Sequence, residues 1–480
     1  MSILVVDVGT SGVRAAIVTP DGEVTGVQHR DVLPSTPMQG FVEFDAGVMA
    51  EAVLGTCRAA LAGSGPVDAV GIANQRASTI VWDRATLVPV ASGIGWQDLR
   101  TVGMCLALRQ EGIRVAPNKS ATKLVAILDM VDPDRRRDLC FGTVDSWVAS
   151  VLSGGALHVT DHTNAGLTDL VTDDGSAWDA ARCDVLNIPL SVLPEIHASC
   201  GVIGEASALA GAPPIAGIAG DQQASLVGQG CLWPGTAKAT FGTGGMLDCA
   251  VGPEQPAFAE RGGAGTFPMI AWSTEAQVTW GIEAVMLSAG SCVEWLRDDL
   301  GLVTTAAETD EIAGSVRDAG GVYFVPALLG LGTPVWDFGA RGTLLGITRG
   351  TTRAEVVRAV LEGVAHRGAD LLEAVVADSG IEVPTLKVDG GMSANGTFLQ
   401  ALADATGRPI EVAAVTEATT LGAAYLAGTA VGTWSSLEAT ASLRHPRAVI
   451  EPARRADRER WLEARSRSER TVPELSSISF

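Results

Sequence analysis

Residues 3–22, ILVVDVGTSGVRAAIVTPDG, decide how this chain is read. Residues 3–6 are a β-branched and leucine run, DVGTSG is a glycine-bearing turn, and residues 13–18 are a second apolar run before Thr19-Pro20-Asp21-Gly22. Two short strands around a tight turn make a hairpin. The pattern returns far downstream as Ala237–Phe241, the turn Gly242-Thr243-Gly244-Gly245, and residues 246–251. Both turns carry a Gly-Thr pair, Gly9-Thr10 and Gly242-Thr243. The repeat predicts a duplicated architecture, with one domain over residues 1–229 and a second over 230–480. Two unrelated hairpins would share the dipeptide by chance, since Gly-Thr pairs are common.

Strand and helix patterns alternate around these hairpins. Residues 67–72, 80–82, 322–325 and 386–388 read as strands. Val102–Gln110 and residues 122–131, 284–300, 353–377, 398–406 and 420–431 carry helical spacing. Mixed strands with helices on both sides predict an α/β fold in two halves. Residues 445–480 form a charged extension whose last ten residues are expected to fray.

Composition narrows the function. A chain of 480 residues exceeds one ordinary core, and 47% hydrophobic residues with a mean hydropathy of +0.25 describe a well-buried protein. A net charge of −21 argues against a nucleic-acid partner, which needs a basic footprint. It leaves room for a small phosphorylated ligand, because backbone amides and a few local cations suffice there. The eight cysteines form no CxxC pair and the six histidines no HExxH, so zinc spacing is lacking. His158 and His162 stand four apart, but HVTDHTN reads as strand and turn, which makes them core or solvent histidines. Trp280, Trp295 and Trp336 read as packing residues rather than a sugar-stacking face. The N-terminus has no basic leader, and its apolar run is cut by Asp7. No run reaches the ~18 apolar residues of a membrane span. A soluble cytoplasmic protein with no membrane partner is expected.

Three segments carry chemistry. In Asp7-Val8-Gly9-Thr10-Ser11-Gly12 the glycines let backbone N–H groups point at a phosphate, and Thr10 and Ser11 add hydroxyls. Asp7 suits a magnesium ion held through water, and Arg14 adds a nearby cation. A tight hairpin turn alone explains the same glycines. In VDGGMSANGTFLQ (388–400), glycines admit a flat ring close to the backbone, and Asn395 either bonds a purine or ribose edge or caps the following helix. In IAGIAGDQQASLVGQ (215–229), Asp221 is either a helix cap or an uncrowded base for a hydroxyl.

Taken together, the motifs resemble those of the FGGY carbohydrate kinases, within the actin-like ATPase superfamily. DVGTSGVRA (7–15), GIANQRASTIVWD (71–83), GWQDLRT (95–101), FGTVDSW (141–147), HVTDHTNAG (158–166), PIAGIAGDQQA (214–224), TFGTGG (240–245), VPALLGLGTPVWD (325–337), ARGTLLGITRG (340–350), VDGGMSANGTFLQ and TTLGAAYLAG (419–428) stand in that family's order. The likeness is greatest to its glycerol-kinase branch, in GIANQR, GIAGDQQA and GSCVEWLRDDLGL (290–302).

The resemblance implies two ribonuclease-H-like domains with a cleft between them, ATP on the second and a small polyol or sugar acceptor on the first. It implies that Asp221 is the base that deprotonates the acceptor hydroxyl for attack on the γ-phosphate. It places Asp7 near Mg2+, with Thr10, Ser11, Gly12 and Arg14 by the phosphates. Thr243 falls on the second phosphate contact, and Gly290, Glu294, Gly391 and Asn395 on the adenosine side. A homodimer is compatible with the family, and no sequence feature establishes one.

The acceptor pocket so implied is Arg76, Ala77, Trp96, Asn118, Asp221, Gln222 and Met246. It departs from the glycerol-kinase pattern. Ala77 replaces a glutamate and Asn118 a tyrosine, both of which bind glycerol there, and Met246 replaces an aromatic wall. Elsewhere Ala126 stands where tryptophan is usual, and SALAGAPPIAG (207–217) lacks the arginine for a sugar bisphosphate effector. Losing a carboxylate and an aromatic frees volume and removes a hydrogen-bond acceptor. A four- or five-carbon polyol or ketose, such as erythritol or xylulose, is therefore the alternative to glycerol. An actin-like ATPase without an acceptor would share the hairpins but has no use for QRAST, GWQDLRT and GDQQA.

Overall fold

Both Gly-Thr turns close β-hairpins, each at the heart of a large mixed sheet. The computed structural model describes residues 1–414 and 417–478. In the first half, β1 (Ile3–Val8), β2 (Gly12–Val18) and β3 (Val24–Asp31) are followed by α1 (Ala46–Ala62), β4 (Ala69–Asn74), β5 (Cys200–Glu205) and β6 (Pro214–Gly220). The sheet order is β5-β6-β4-β1-β2-β3, with β1, β2 and β3 antiparallel in turn and β4 and β6 running parallel to β1. Side chains alternate across β1: Leu4, Val6 and Val8 join the core that contains Val53 and Cys57 of α1, while Ile3 and Val5 face the other layer.

α2 (Asp221–Gly228) leads into the second half. That half contains β7 (Ala237–Phe241), β8 (Gly245–Gly252), β9 (Phe267–Ser273), β10 (Val278–Met286), α3 (Gly290–Glu294), α4 (Arg353–Ser379), β11 (Leu386–Asp389), α5 (Gly396–Thr406), β12 (Ile410–Val412), α6 (Ala418–Ala430) and β13 (Ala448–Ile450). Its sheet runs β9-β10-β8-β7-β11-β12-β13. β7, β8 and β10 are antiparallel in turn, and β11 and β12 lie parallel along β7. Apart from the added β9, each strand has a counterpart in the first sheet, which is the duplication that the hairpins predict.

Two sequence expectations are corrected. Residues 284–300 do not form one helix: β10 runs to Met286, α3 covers only Gly290–Glu294, and a wider turn follows over Trp295–Asp299. Only the start of the stretch, residues 284–286, belongs to the strand between β8 and β9, where sheet pairing overrides helical spacing; residues 290–299 are helical as the spacing predicts. The described part of the last ten residues is also ordered, with a helical turn at Pro473–Ser476 and Ser476 Oγ donating to Asp337 Oδ1 at 2.6 Å. Ser479 and Phe480 lie outside the described residues. HVTDHTN is a strand and a one-turn helix capped by Asp161. His158 bonds the Phe141 carbonyl and His162 bonds Ser273, so both are core histidines.

α6 comes from the second half of the chain yet lies on the first sheet. A Cβ built at Gly71 of β4 would sit 2.5 Å from the Ala423 oxygen, and one at Gly217 of β6 would sit 2.5 Å from the Ala427 nitrogen. The helix backbone thus rests directly on strand glycines. It also crosses α2: a Cβ at Gly422 would lie 1.7 Å from the Ala224 oxygen, and one at Gly228 would lie 1.9 Å from the Ala418 oxygen. No side chain fits at that crossing. Gly422→Ala is therefore expected to force the helices apart and cost about 3 kcal/mol, read as a lowered urea midpoint. An unchanged midpoint would show that the helices separate freely.

Candidate active site

The chemically loaded residues gather at the carboxyl ends of the parallel strands, where α/β sheets place their ligands. Asp7 pairs with Ala73 across β1 and β4, and Gly220 pairs with Asn74 across β6 and β4, so Asp7 and Asp221 emerge at one sheet end. Asp221 opens α2, where the positive end of the helix favours a carboxylate. Its Oδ1 accepts the Gln222 N–H at 2.8 Å, but the N-cap position is Gly220, so the helix-cap reading is corrected: Asp221 is the first residue of the helix. Between Gly9 and Gly12 the hairpin closes with Gly9 N–H donating to the Gly12 carbonyl at 2.9 Å. Arg14 stands opposite Asp7 on β2.

Arg76 reaches the same place by an unusual turn. Ala77 has φ 61°, and the Ser78 N–H donates to the Arg76 carbonyl at 2.8 Å, a strained three-residue turn. The guanidinium then lies 3.4 Å from Asp221 Oδ1 and 2.7 Å from Glu283 Oε2, with Met246 Sδ at 3.8 Å. Glu283 belongs to β10 of the second half. Trp96 donates from Nε1 to Thr10 Oγ1 at 3.2 Å, which joins the acceptor wall to the first phosphate turn.

Glu283 is one of a row of charges. In register across neighbouring strands stand Glu283 (β10), Asp248 (β8), Lys238 (β7), Lys387 (β11) and Glu411 (β12). α2 lies along this row with a polar face. Lys238 Nζ donates to Gln222 Oε1 at 2.6 Å, Gln229 Nε2 donates to Asp389 Oδ2 at 2.9 Å, and Lys387 Nζ donates to the Gln229 carbonyl at 2.8 Å. Sequence reasoning missed Glu283, Lys238 and Asp248. Their signal was available: each of three apolar strands, AKATF, GMLDCAVG and VTWGIEAVM, contains a single charge.

Electrostatics follow from this crowding. Burial raises the Asp221 carboxyl above its usual range; Arg76, the Gln222 N–H and Lys238 pull it down, and Glu283 pushes it up again. Burial, and then repulsion from Asp221, push Asp7 up to about 7 against the pull of Arg14. Burial opposes charge on Arg76, yet Glu283, Asp221 and Asp248 keep it firmly protonated.

In the second half, Gly290 N–H donates to the Gly242 carbonyl at 2.8 Å and Ala289 N–H to the Thr243 carbonyl at 2.9 Å, so the second Gly-Thr turn sits on the start of α3. Gly390, at φ 87°, packs so that a Cβ would lie 2.5 Å from the Phe241 oxygen, which brings the DGG turn against the same strand end. Thr243, Gly290 and Gly391 therefore share one neighbourhood, with Glu294 exposed at the last turn of α3. Asn395 caps α5, accepting the Phe398 N–H at 2.8 Å, and its Nδ2 donates to Thr309 at 3.0 Å. Its oxygen and one of its two amide N–H bonds are thus used within the protein. Asn118 is exposed on the loop before residues 121–131. Trp295 stacks on Phe324 and Trp336 packs edge-on to Phe267, as packing residues do.

Models of the FGGY family of carbohydrate kinases match this chain, the N-terminal domain at residues 2–228 and the C-terminal domain at residues 237–431. A glycerol kinase of Halorhodospira halophila is 41% identical over 476 residues, 95% of this chain and 93% of the relative. The structure of a Plasmodium falciparum glycerol kinase with ADP superposes with a TM-score of 0.89 at 28% identity, over 100% of this chain and 99% of that one. A xyloylose kinase from Brucella ovis superposes with a TM-score of 0.87 at 26% identity, over 100% of both chains.

Glu283→Gln tests the electrostatic coupling across the cleft. Removing that charge lowers the Asp221 pKa and frees Arg76 to pair with it. A base works only when deprotonated, so the acid limb of kcat/KM is expected to move to lower pH. A limb that stays or moves upward contradicts the coupling.

Proposed function

We propose, because this chain belongs to the FGGY family of carbohydrate kinases, that its cleft transfers the γ-phosphoryl group of ATP to a hydroxyl of a small polyol, in the manner of a glycerol kinase. One observation carries the reading. Asp221 is a partly exposed carboxylate at a helix start, held between Arg76 and the Gln222 N–H at the carboxyl ends of parallel strands. As the acceptor oxygen attacks the γ-phosphorus and the bond to the β-bridging oxygen breaks, Asp221 takes the hydroxyl proton. Its raised pKa makes it a stronger proton acceptor than an exposed carboxylate, while Arg76 pulls it back toward the charged form.

The residues present fit a magnesium ion. Asp7 is a hard oxygen donor whose pKa of about 7 marks a carboxylate short of positive charge, with Arg14 alone opposing the shift. Asp7 would hold the ion, which when bound supplies charge neutralisation on the phosphates. Thr10, Ser11 and Gly12 then serve the phosphates from the first half. Thr243, Gly290, Glu294 and Gly391 serve the nucleotide from the second, with Asn395 acting as the cap that holds α5 in place. Residues 1–229 thus contribute the acceptor and base, and residues 230–480 the adenosine side. Eight unpaired, buried thiols fit a reducing, cytoplasmic setting.

Ala77 and Asn118 favour a second reading of the acceptor, as a four- or five-carbon polyol or ketose. A coupled ADP-release screen over glycerol, four- and five-carbon polyols and pentuloses separates the two by the highest kcat/KM. ADP release that ignores every acceptor would overturn both. Asp221→Asn is expected to lower kcat about a thousandfold while ATP binding, measured by calorimetry, is retained.

A further inference from the structure

Behind the acceptor pocket stands a fully buried lysine from the opposite half of the molecule. Lys238 Nζ lies 2.6 Å from Gln222 Oε1, 3.0 Å from Thr240 Oγ1 and 2.9 Å from Asp248 Oδ2. Gln222 and Thr240 accept hydrogen bonds from the ammonium, and Asp248 is its ion-pair partner. Lys238 and Asp248 both have wholly buried side chains and face each other in register across β7 and β8. Burial opposes the lysine charge, but Asp248, Asp389 and Asp221 hold it above its ordinary pKa.

We infer that Lys238 is a positioning residue for the acceptor: it fixes the Gln222 carboxamide with its oxygen toward the second sheet and its Nε2 donor left for the substrate. An ammonium can only donate, so the amide atom that meets it must be oxygen. Without the lysine the amide can flip and present an acceptor instead. Locked as it is, Gln222 has only its Nε2 donor left to offer, and the neighbouring Asp221, paired with Arg76, is the acceptor. Substrate oxygens that keep their protons are then held through their lone pairs, and the oxygen that loses its proton turns to Asp221. Orientation of the acceptor in the first half is thereby set by a charge in the second. Asp248 makes that charge tolerable, since an unpaired buried ammonium is strongly destabilising.

The inference rests on the phosphotransfer reading, and its test separates the two. Lys238→Met/Asp248→Asn removes both buried charges together, so neither is left unpaired. It is expected to raise the acceptor KM about tenfold, with the KM for ATP nearly unchanged and kcat, read on the pH plateau above the acid limb where Asp221 is deprotonated in both proteins, falling far less than the acceptor KM rises. An unchanged acceptor KM, or an equal loss in all parameters, overturns the positioning role. Gln222→Glu supplies a readout that needs no turnover and still decides if the double variant does not fold. A carboxylate against Lys238 is expected to keep or raise Tm, because the lysine already faces an oxygen there, while loss of the donor raises the acceptor KM. A clear fall in Tm would mean that no such lysine contact exists and would overturn the inference. Wild-type protein that releases no ADP with any acceptor defeats the phosphotransfer reading alone, and the Tm of Gln222→Glu still decides the orientation of the amide.

Discussion

α2 and α6 cross with their backbones in contact, and the meeting of Asp221 and Gln222 with charges of the second half depends on that contact. Gly228 and Gly422 make the approach possible, because a methyl group at either would overlap a carbonyl of the other helix. On its far side α6 lies on Gly71 and Gly217 of the first sheet. At these crossings the second half of the chain meets the first backbone to backbone, and Leu421, Tyr425 and Trp434 pack beside them against Ile3 and Val5 of the first sheet. α2 starts at Asp221 and ends where Lys387 binds the Gln229 and Gly230 carbonyls, a cation at the negative end of a helix. Its two ends thus belong to different halves of the molecule.

Along its other face, α2 meets a sheet that carries ions where apolar residues usually stand. Burying charges is costly unless each finds a partner. Here the partners come from neighbouring strands and from the opposite half: Lys238 with Asp248, Arg76 with Glu283 and Asp221, Arg444 with Glu411. The same low-polarity setting that makes these pairs expensive also raises the Asp221 and Asp7 carboxyls. A base of raised pKa and a rigid cation beside it are consequences of one arrangement. The strained turn at Ala77, which carries Arg76 into the cleft, is a local cost borne for that geometry.

The hairpins, α4 and α5 were legible because their signals are local. A glycine turn between apolar runs and an amphipathic spacing need no distant partner. Residues 284–300 failed for the opposite reason. The helical rhythm holds over residues 290–299, but residues 284–286 end β10, which the sheet needs between β8 and β9. Trp461 likewise turned a highly charged C-terminal segment into an ordered one by burying completely. Asn395 shows a local reading prevailing: the cap is what its side chain does.

By itself, the sequence determined the repeat, the two Gly-Thr turns, the placement of Asp221 at a helix start, and the family. These depend on residue order and short spacings, which the chain carries without folding. Only the tertiary structure decided that Glu283, Asp248 and Lys238 form a row, that this row lies against α2, and that Gln222 and Arg76 answer to charges from the other half. Those contacts join residues far apart in the chain. They exist only because strand register and a glycine-lined helix crossing bring the charges together.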